Sequence, residues 1–258
     1  MSFGYIPGNS VWKNIILRIT GWPNVIRRLQ APVIMKMLNP GKDNVILDAG
    51  CGEGCFSFEI SKRCKKSVGV DLNVNKKGIS DGNYSNLTLV RGDIQKLPFE
   101  NESFDKILLS SVLQMVADDC VVLTECHRVL NKGGELVLSV PVEYIWITSL
   151  NQIKKQLKTR FRANGKGYYK PTEIFGLLNA HGYRIVQTEY APKKWGSLIC
   201  EIWLFITYHL KLPLFSPYYF FFLYPVCLLE RIIGSKKQNG NEIVIKVVKT
   251  GVPKERID

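Results

Sequence analysis

A glycine-rich stretch near residue 50 has the residue types of a ligand-binding loop. It reads Asp48-Ala49-Gly50-Cys51-Gly52-Glu53-Gly54, directly after an apolar run and before a helical pattern. Glycines let the backbone approach a ligand closely, and the start of a helix offers unpaired N–H groups. The order strand, glycine loop, helix therefore predicts a nucleotide-type cofactor site.

A second carboxylate, Asp71, ends the next predicted strand. A carboxylate at this place, about 20 residues after the loop, can accept hydrogen bonds from ribose hydroxyls. Dinucleotide oxidoreductases carry G-x-G-x-x-G, whereas this loop is D-x-G-x-G-x-G. The carboxylate of Asp48 would repel a pyrophosphate but suits a cofactor with an ammonium and a sulfonium group. The loop thus favours S-adenosylmethionine over NAD.

Short apolar strands alternate with helical patterns around this loop. Strands are predicted at 45–50, 67–72, 87–93, 104–112, 134–141, 183–191 and 241–250, and helices at 55–64, 118–130 and 171–182. This alternation predicts one doubly wound α/β domain with a parallel sheet. Residues 10–39 also look helical, and Pro32 should kink or interrupt the second part.

Four sequence blocks in order resemble the class I S-adenosylmethionine-dependent methyltransferases. They are VILDAGCGEG, VGVDLN, RGDIQKLPFENESFDKILLSSVLQ and ECHRVLNKGGELVLSVP, all within residues 44–141. The resemblance is greatest to the type 11 group, which includes quinone-biosynthesis C-methyltransferases. It implies a methyltransferase with a Rossmann-like seven-stranded sheet, in which the last strand is antiparallel and pairs beside the sixth.

The resemblance also implies the positions that hold the cofactor. Those around the methionine moiety are Asp48, which would orient the loop, Gly50, Cys51, Gly52, Gly54 and Ser110. Those around the nucleoside are Asp71 on the ribose, Leu72 packed on the adenine, Asp93 accepting from the adenine amino group, and Ile94 with a backbone contact. In contrast, Asp105 is interpreted as a residue at the start of a strand and Phe104 as core.

No residue of the sequence is assigned as the catalytic base. His127 and His181 fit structural positions in or after helices, and His209 lies in an apolar segment. Glu143 and Tyr144 follow the fifth strand, where acceptors bind in this fold, and each stays a candidate. The sequence has no clustered His, Asp or Glu pattern that suggests a catalytic metal.

The formal net charge of +13 favours an anionic partner: nucleic acid, a phosphorylated substrate or an anionic membrane surface. Enzymes that methylate exocyclic amines of bases carry a motif resembling Asn/Asp-Pro-Pro-Tyr/Phe after the fourth strand. This chain has Ser110-Ser111-Val112-Leu113 there, which argues against nucleic acid as the partner.

The cysteines and the first residues indicate where the protein is located. The seven cysteines have no CxxC spacing, so they are predicted to be free thiols in a reducing compartment. The first residues lack the pattern of a secretory signal. A cytoplasmic location, or the cytosolic face of a membrane, is expected.

The predicted domain organisation has N-terminal helices at 1–43, a cofactor-binding domain at 44–191 and 241–250, and insertions at 142–170 and 192–240. The first insertion is basic: it carries Lys154, Lys155, Lys158, Arg160, Arg162, Lys166 and Lys170. The second contains the apolar runs SLICEIWLFITYHL and PLFSPYYFFFLYPVCLLERII. Both should leave the sheet on the cofactor side, because they follow the fifth and sixth strands.

The apolar runs are marginal as membrane spans, since about 20 consecutive apolar residues are needed to cross a bilayer. Pro213, Pro217 and Pro225 interrupt them. Short helices lying in one leaflet fit better, with aromatic side chains suited to the interface: Trp195, Trp203, Tyr218, Tyr219 and Tyr224. The expected function is methyl transfer to a lipid or lipid-linked acceptor by a peripheral or monotopic enzyme. The alternatives are a soluble small-molecule methyltransferase with a hydrophobic lid, and a non-catalytic scaffold that binds S-adenosylmethionine.

Overall fold

The protein is built on one mixed sheet flanked by helices. The computed structural model describes residues 25–74, 84–142, 168–191 and 240–251. The strands are β1 (Val45–Ala49), β2 (Lys66–Asp71), β3 (Leu87–Arg91), β4 (Phe104–Ser110), β5 (Leu130–Pro141), β6 (Tyr183–Tyr190) and β7 (Glu242–Lys249). The helices are α1 (Val25–Leu38), α2 (Cys55–Ser61), α3 (Asp119–Val129) and α4 (Pro171–Ala180), with a 3-10 turn at Leu113–Met115.

The seven strands lie in the order β3-β2-β1-β4-β5-β7-β6. Strands β1 to β5 pair in parallel, and β7 is antiparallel to both β5 and β6. The predicted doubly wound, Rossmann-like sheet with an antiparallel last strand beside the sixth is therefore confirmed. The carboxyl ends of β1 to β6 and the amino end of β7 share one edge, which we call the carboxyl edge.

Buried side chains cover both faces of the sheet, because successive residues of a strand point to opposite sides. On one face Leu47 and Leu109 belong to a large apolar cluster that includes α3 and α4. On the other face their neighbours Ile46 and Leu108 pack with α1 and α2. Continuous apolar runs such as that of β4 are typical of strands buried on both sides.

Helix α1 runs through Pro32 without a break, so the expected interruption at this residue does not occur. A proline inside a helix costs about 3 kcal/mol or more, since it removes a hydrogen bond and crowds the preceding turn. Burial of Ile34, Met37 and Leu38 against the sheet offsets that cost. The first helical pattern, at residues 10–20, lies outside the described residues.

Side chains far from the carboxyl edge have the structural roles expected of them. His127 Nε2 lies 2.7 Å from the carbonyl oxygen of Gly251, which follows β7 at the opposite edge. His181 ends α4, with its Nδ1 2.8 Å from the carbonyl oxygen of Leu177. The Asp105 carboxylate accepts from the Val45 backbone N–H at 2.8 Å, and so joins two strands.

Two segments outside the described residues begin and end at the carboxyl edge. Residues 143–167 start after β5, and the chain returns at Tyr169, whose N–H donates to the carbonyl of Pro141 at 2.9 Å. Residues 192–239 start after β6, where the Ala191 N–H donates to the carbonyl of Glu242 at 3.0 Å. Apart from Val142, residues 168–170 and residue 240, the predicted basic and apolar insertions lie outside the described residues. The candidates Glu143, Tyr144 and His209 lie outside them too. Within the described ranges, no helix is long and apolar enough to span a bilayer.

Candidate functional site

The glycine loop between β1 and α2 lies at the centre of the carboxyl edge. Its three glycines all have positive φ angles: 77° at Gly50, 56° at Gly52 and 78° at Gly54. The N–H groups of Gly50 and Cys51 donate to the carbonyl of Val70 at 2.7 and 3.0 Å. The loop is thus held against the end of β2 while it turns into α2.

The first two glycines of the loop have different surroundings. A Cβ on Gly50 would lie 2.5 Å from a methyl group of Val112, because the chain after β4 packs directly on the loop. A Cβ on Gly52 would have no atom within 4 Å. Gly50 is therefore needed for packing within the protein, whereas the space beside Gly52 is open to a ligand.

Asp71 connects the end of β2 to the loop. One carboxylate oxygen accepts from the Gly52 N–H at 2.9 Å, and the other accepts from the Asn73 N–H at 2.9 Å. A carboxylate has about four lone-pair positions, so both oxygens can still accept from a ribose diol. The structure places Asp71 where the sequence predicted it, and adds a role in holding the loop.

Leu72 is exposed although it is large and apolar: 58% of its surface is accessible. It lines a cleft of about 270 Å³ together with Asn73, Val74 and Arg91. An apolar side chain presented next to Asp71 suits the face of an aromatic base, in agreement with the predicted adenine position.

Asp93 does not end β3, as the sequence suggested, because the strand stops at Arg91. The Gly92 N–H still donates to the carbonyl of Asp71 at 3.0 Å, as the next bond of the parallel ladder. One oxygen of Asp93 accepts from the Gln95 N–H at 2.9 Å, so Asp93 lies in a turn after the strand. Ile94 points into the core with 6% exposure, so any cofactor contact would come from its backbone.

Asp48 is a buried carboxyl group beneath the loop, 2% exposed. The Ser57 hydroxyl donates to it at 2.6 Å. Burial raises the pKa of Asp48 to about 6, although the bond from Ser57 and the charge of Arg27 act in the opposite direction. A buried acid with this pKa favours a positively charged ligand nearby, because such a ligand would stabilise its ionised form.

Ser110 is the last residue of β4, whereas the sequence predicted a strand up to residue 112. Leu108 pairs with Asp48, so Ser110 lies level with Gly50. Its side chain is 4% exposed and accepts a hydrogen bond from Arg27 Nη1. Arg27, on α1, was not among the predicted site residues.

A second buried acid, Glu242, begins β7 at the same edge and was also missed. The Ser111 hydroxyl donates to one oxygen at 2.6 Å, and Gln30 Nε2 donates to the other. Burial raises the pKa of Glu242, and the charge of Arg27 lowers it. The sequence did show an acidic residue at the start of a predicted buried strand. Its hydrogen-bond partners are distant in the chain, so the sequence did not indicate what it contacts.

The described cysteines are free thiols: Cys51, Cys55, Cys64, Cys120 and Cys126. Cys51 lies within the glycine loop, and burial raises the pKa of its thiol above the usual range, with the charges of Asp48 and Asp71 acting in the same direction. A protonated thiol is a poor nucleophile. Cys51 therefore contributes backbone to the loop rather than covalent chemistry.

These positions form one continuous site along the ends of β1, β2 and β4, with Asp93 just after β3. The cofactor predicted from the sequence fits it: an acid with accepting positions for a ribose, an exposed apolar side chain for a base, and open space beside Gly52. The acid Asp48 suits the ammonium group at the amino-acid end of the cofactor.

The comparisons with known proteins include the part of the chain that carries this site. A family described as "Methyltransferase domain" matches residues 47–138. Demethylmenaquinone methyltransferase of Staphylococcus aureus (strain JH9) is 32% identical over 137 residues, which are 49% of this chain and 57% of that protein. The Bacillus subtilis (strain 168) protein of that name is 31% identical over 111 residues, 40% of this chain and 48% of that protein. The chain thus spans about half the length of these relatives.

Among solved structures, an S-adenosylmethionine dependent methyltransferase from Mesorhizobium loti has the same fold. It superposes with a TM-score of 0.57 at 19% identity, over 85% of this chain and 97% of that one. Residues 47–138 therefore match a type 11 methyltransferase domain, and the described part of the chain has the fold of an S-adenosylmethionine dependent methyltransferase.

Proposed function

We propose that this protein transfers a methyl group from S-adenosylmethionine to a lipid or lipid-linked acceptor at the cytosolic surface of a membrane. One observation carries the proposal: the segments 143–167 and 192–239 both begin and end at the carboxyl edge, the edge that also carries the glycine loop. The first is basic and the second is rich in aromatic and aliphatic residues. Basic and apolar segments that start from the edge of the methyl donor suit an acceptor that arrives from an anionic leaflet.

The relatives support a lipophilic acceptor. Their name states demethylmenaquinone as what they methylate. We infer an acceptor of similar character, a lipophilic ring compound or a lipid with a polar head group. The positive charge of the first insertion favours an acceptor that carries phosphate or lies among anionic lipids.

In this mechanism the bound cofactor supplies an electrophilic methyl group, and the protein supplies its position. Asp71 would hold the ribose, Leu72 would hold the base, and Asp48 would face the amino-acid end. Holding two reactants in line can lower a barrier by about 7–11 kcal/mol. The acceptor atom determines whether a protein base is also needed.

The proposal is tested by incubating the purified protein and methyl-labelled S-adenosylmethionine with source membranes. Label in the lipid extract is the expected result, and at subsaturating cofactor the Asp71→Ala variant should give about 100-fold less. Label confined to water-soluble products would overturn the lipid acceptor in favour of a small-molecule methyltransferase. Cofactor binding without transfer to any membrane or cytosolic extract would instead indicate a scaffold.

Cofactor affinity should depend on pH through Asp48. Below about pH 6 the cofactor-free protein has this carboxyl protonated, and a cofactor ammonium group would require the ionised form. Affinity should therefore rise with pH through about 6 and level off above, changing by up to about tenfold per pH unit below the pKa.

Isothermal titration with S-adenosylhomocysteine, between about pH 5 and about pH 8, measures this dependence. Two buffers of different ionisation enthalpy should reveal a proton released on binding near pH 6, the pKa of Asp48. The Asp48→Asn variant should lose both the slope and the released proton. An unchanged slope in this variant would assign the titration to another group.

A further inference from the structure

The predicted cofactor positions leave one charge of S-adenosylmethionine unmatched. Ten residues were assigned to the cofactor, and three of them are acids: Asp48, Asp71 and Asp93. None of the ten is basic, although the amino-acid end of the cofactor carries a carboxylate. A carboxylate among acids would be repelled at close range. A cation from an element outside the motif would match this charge.

Arg27 brings a positive charge to the methionine end of the site. Its Nη2 donates to the carbonyl of Ser110 at 3.2 Å, and its Nη1 donates to the hydroxyls of Ser110 and Ser111, the latter at 3.3 Å. The guanidinium carbon lies 6.0 Å from the ring centroid of Phe56, in the first turn of α2. The guanidinium group is thus placed between the end of β4 and the helix that follows the glycine loop.

Helix α1 is fixed over the carboxyl edge by a second contact one turn after Arg27. Gln30 is 1% exposed and donates to the buried carboxylate of Glu242. Residues three apart in a helix lie on the same face, so Arg27 and Gln30 face the edge together. The Ser111 hydroxyl contacts both Arg27 and Glu242, and so joins the two contacts.

We propose that Arg27 receives the α-carboxylate of S-adenosylmethionine, which makes α1 part of the cofactor site. This inference rests on the proposed function. The cofactor ammonium would then face Asp48 and its carboxylate would face Arg27, so that the two ends of the amino acid meet opposite charges. A guanidinium group presents paired N–H donors that match a carboxylate, which a lysine cannot reproduce.

A purely structural role for Arg27, as the counter-charge of Asp48 and Glu242, makes a different prediction. In that case its removal would alter folding stability, and it would weaken all ligands of the loop to the same extent. Recognition of the carboxylate is specific to ligands that carry one. The two roles are therefore separated by comparing S-adenosylmethionine with its decarboxylated form, which keeps the sulfonium, the amine and the nucleoside.

The experiment measures dissociation constants of both ligands by isothermal titration for wild type and Arg27→Gln. Wild type should prefer S-adenosylmethionine by about 10- to 100-fold, the range expected for a charge-assisted hydrogen-bond pair. Arg27→Gln should lose this preference by weakening S-adenosylmethionine alone. Arg27→Lys should retain part of it. Lys36→Gln removes the same charge from an exposed position of α1 and should leave both affinities unchanged.

Each alternative outcome has a defined meaning. Equal weakening of both ligands in Arg27→Gln would overturn carboxylate recognition and leave the structural role. A full preference in this variant would place the carboxylate elsewhere. Failure of wild type to bind either ligand would refute the proposed function itself, and thermal melting of each variant shows whether it is folded.

Discussion

Replacing Asp71 with alanine should weaken S-adenosylmethionine binding by about 100-fold or more, with a matching loss of methyl transfer. Two hydrogen bonds from ribose hydroxyls to an ionised acceptor are removed, and each is worth about 1.5–3 kcal/mol. The variant also loses the 2.9 Å bond from the Gly52 N–H that holds the loop in place. The dissociation constant from isothermal titration measures the effect.

Two further variants show whether the effect belongs to this carboxylate. Asp71→Asn keeps one accepting oxygen without the charge, and should lie between wild type and Asp71→Ala. Asp43 is an exposed acid in the turn before β1, so Asp43→Ala should leave affinity unchanged. Wild-type affinity in Asp71→Ala would show that the ribose is held by other groups.

Replacing Gly50 with alanine should destabilise the fold by about 2–4 kcal/mol. The positive φ of 77° costs a residue with a side chain about 1 kcal/mol. The added Cβ would also lie 2.5 Å from a Val112 methyl group, and overpacking of this kind costs about 1–3 kcal/mol. Chemical denaturation gives the change in free energy of unfolding.

Gly52→Ala is the matched control for this substitution. It has the same strain from a positive φ of 56°, but no atom lies within 4 Å of its Cβ. Its stability should fall by only about 1 kcal/mol. The open space is available to the cofactor, so the added methyl group should interfere with binding. The free energy of cofactor binding should therefore fall by more than the free energy of unfolding. Equal destabilisation by both substitutions would contradict the packing argument.

The part of the site that is local in sequence could be predicted. The loop from Asp48 to Gly54 and the acid Asp71 follow consecutive strands, and parallel strands bring their carboxyl ends to one edge. The glycine spacing and the predicted strand ends were therefore sufficient to predict these positions. Strands β3 and β4 each end two residues before the predicted position, because backbone hydrogen bonds decide where a strand stops and an apolar pattern does not show them.

The rest of the site depends on contacts between distant parts of the chain. Ser111 and Glu242 are separated by 131 positions, and Arg27 lies 83 positions before Ser110. Nothing local to Arg27 distinguishes it from other basic residues of the chain. Only the docking of α1 on the sheet, through Ile34 and Leu38, brings its charge to the loop. The sequence predicted this helix without predicting what it faces.

The position of β7 has a consequence for the order in which the protein is made. This last strand lies between β5 and β6, and β6 pairs with no other strand within the described residues. During synthesis the apolar segment 192–239 is therefore complete before the strand that closes the sheet exists. The carboxyl edge can reach its final form only when residues 242–249 insert between their two neighbours. Assembly of the cofactor site, with Glu242 as its last member, therefore follows the synthesis of both insertions.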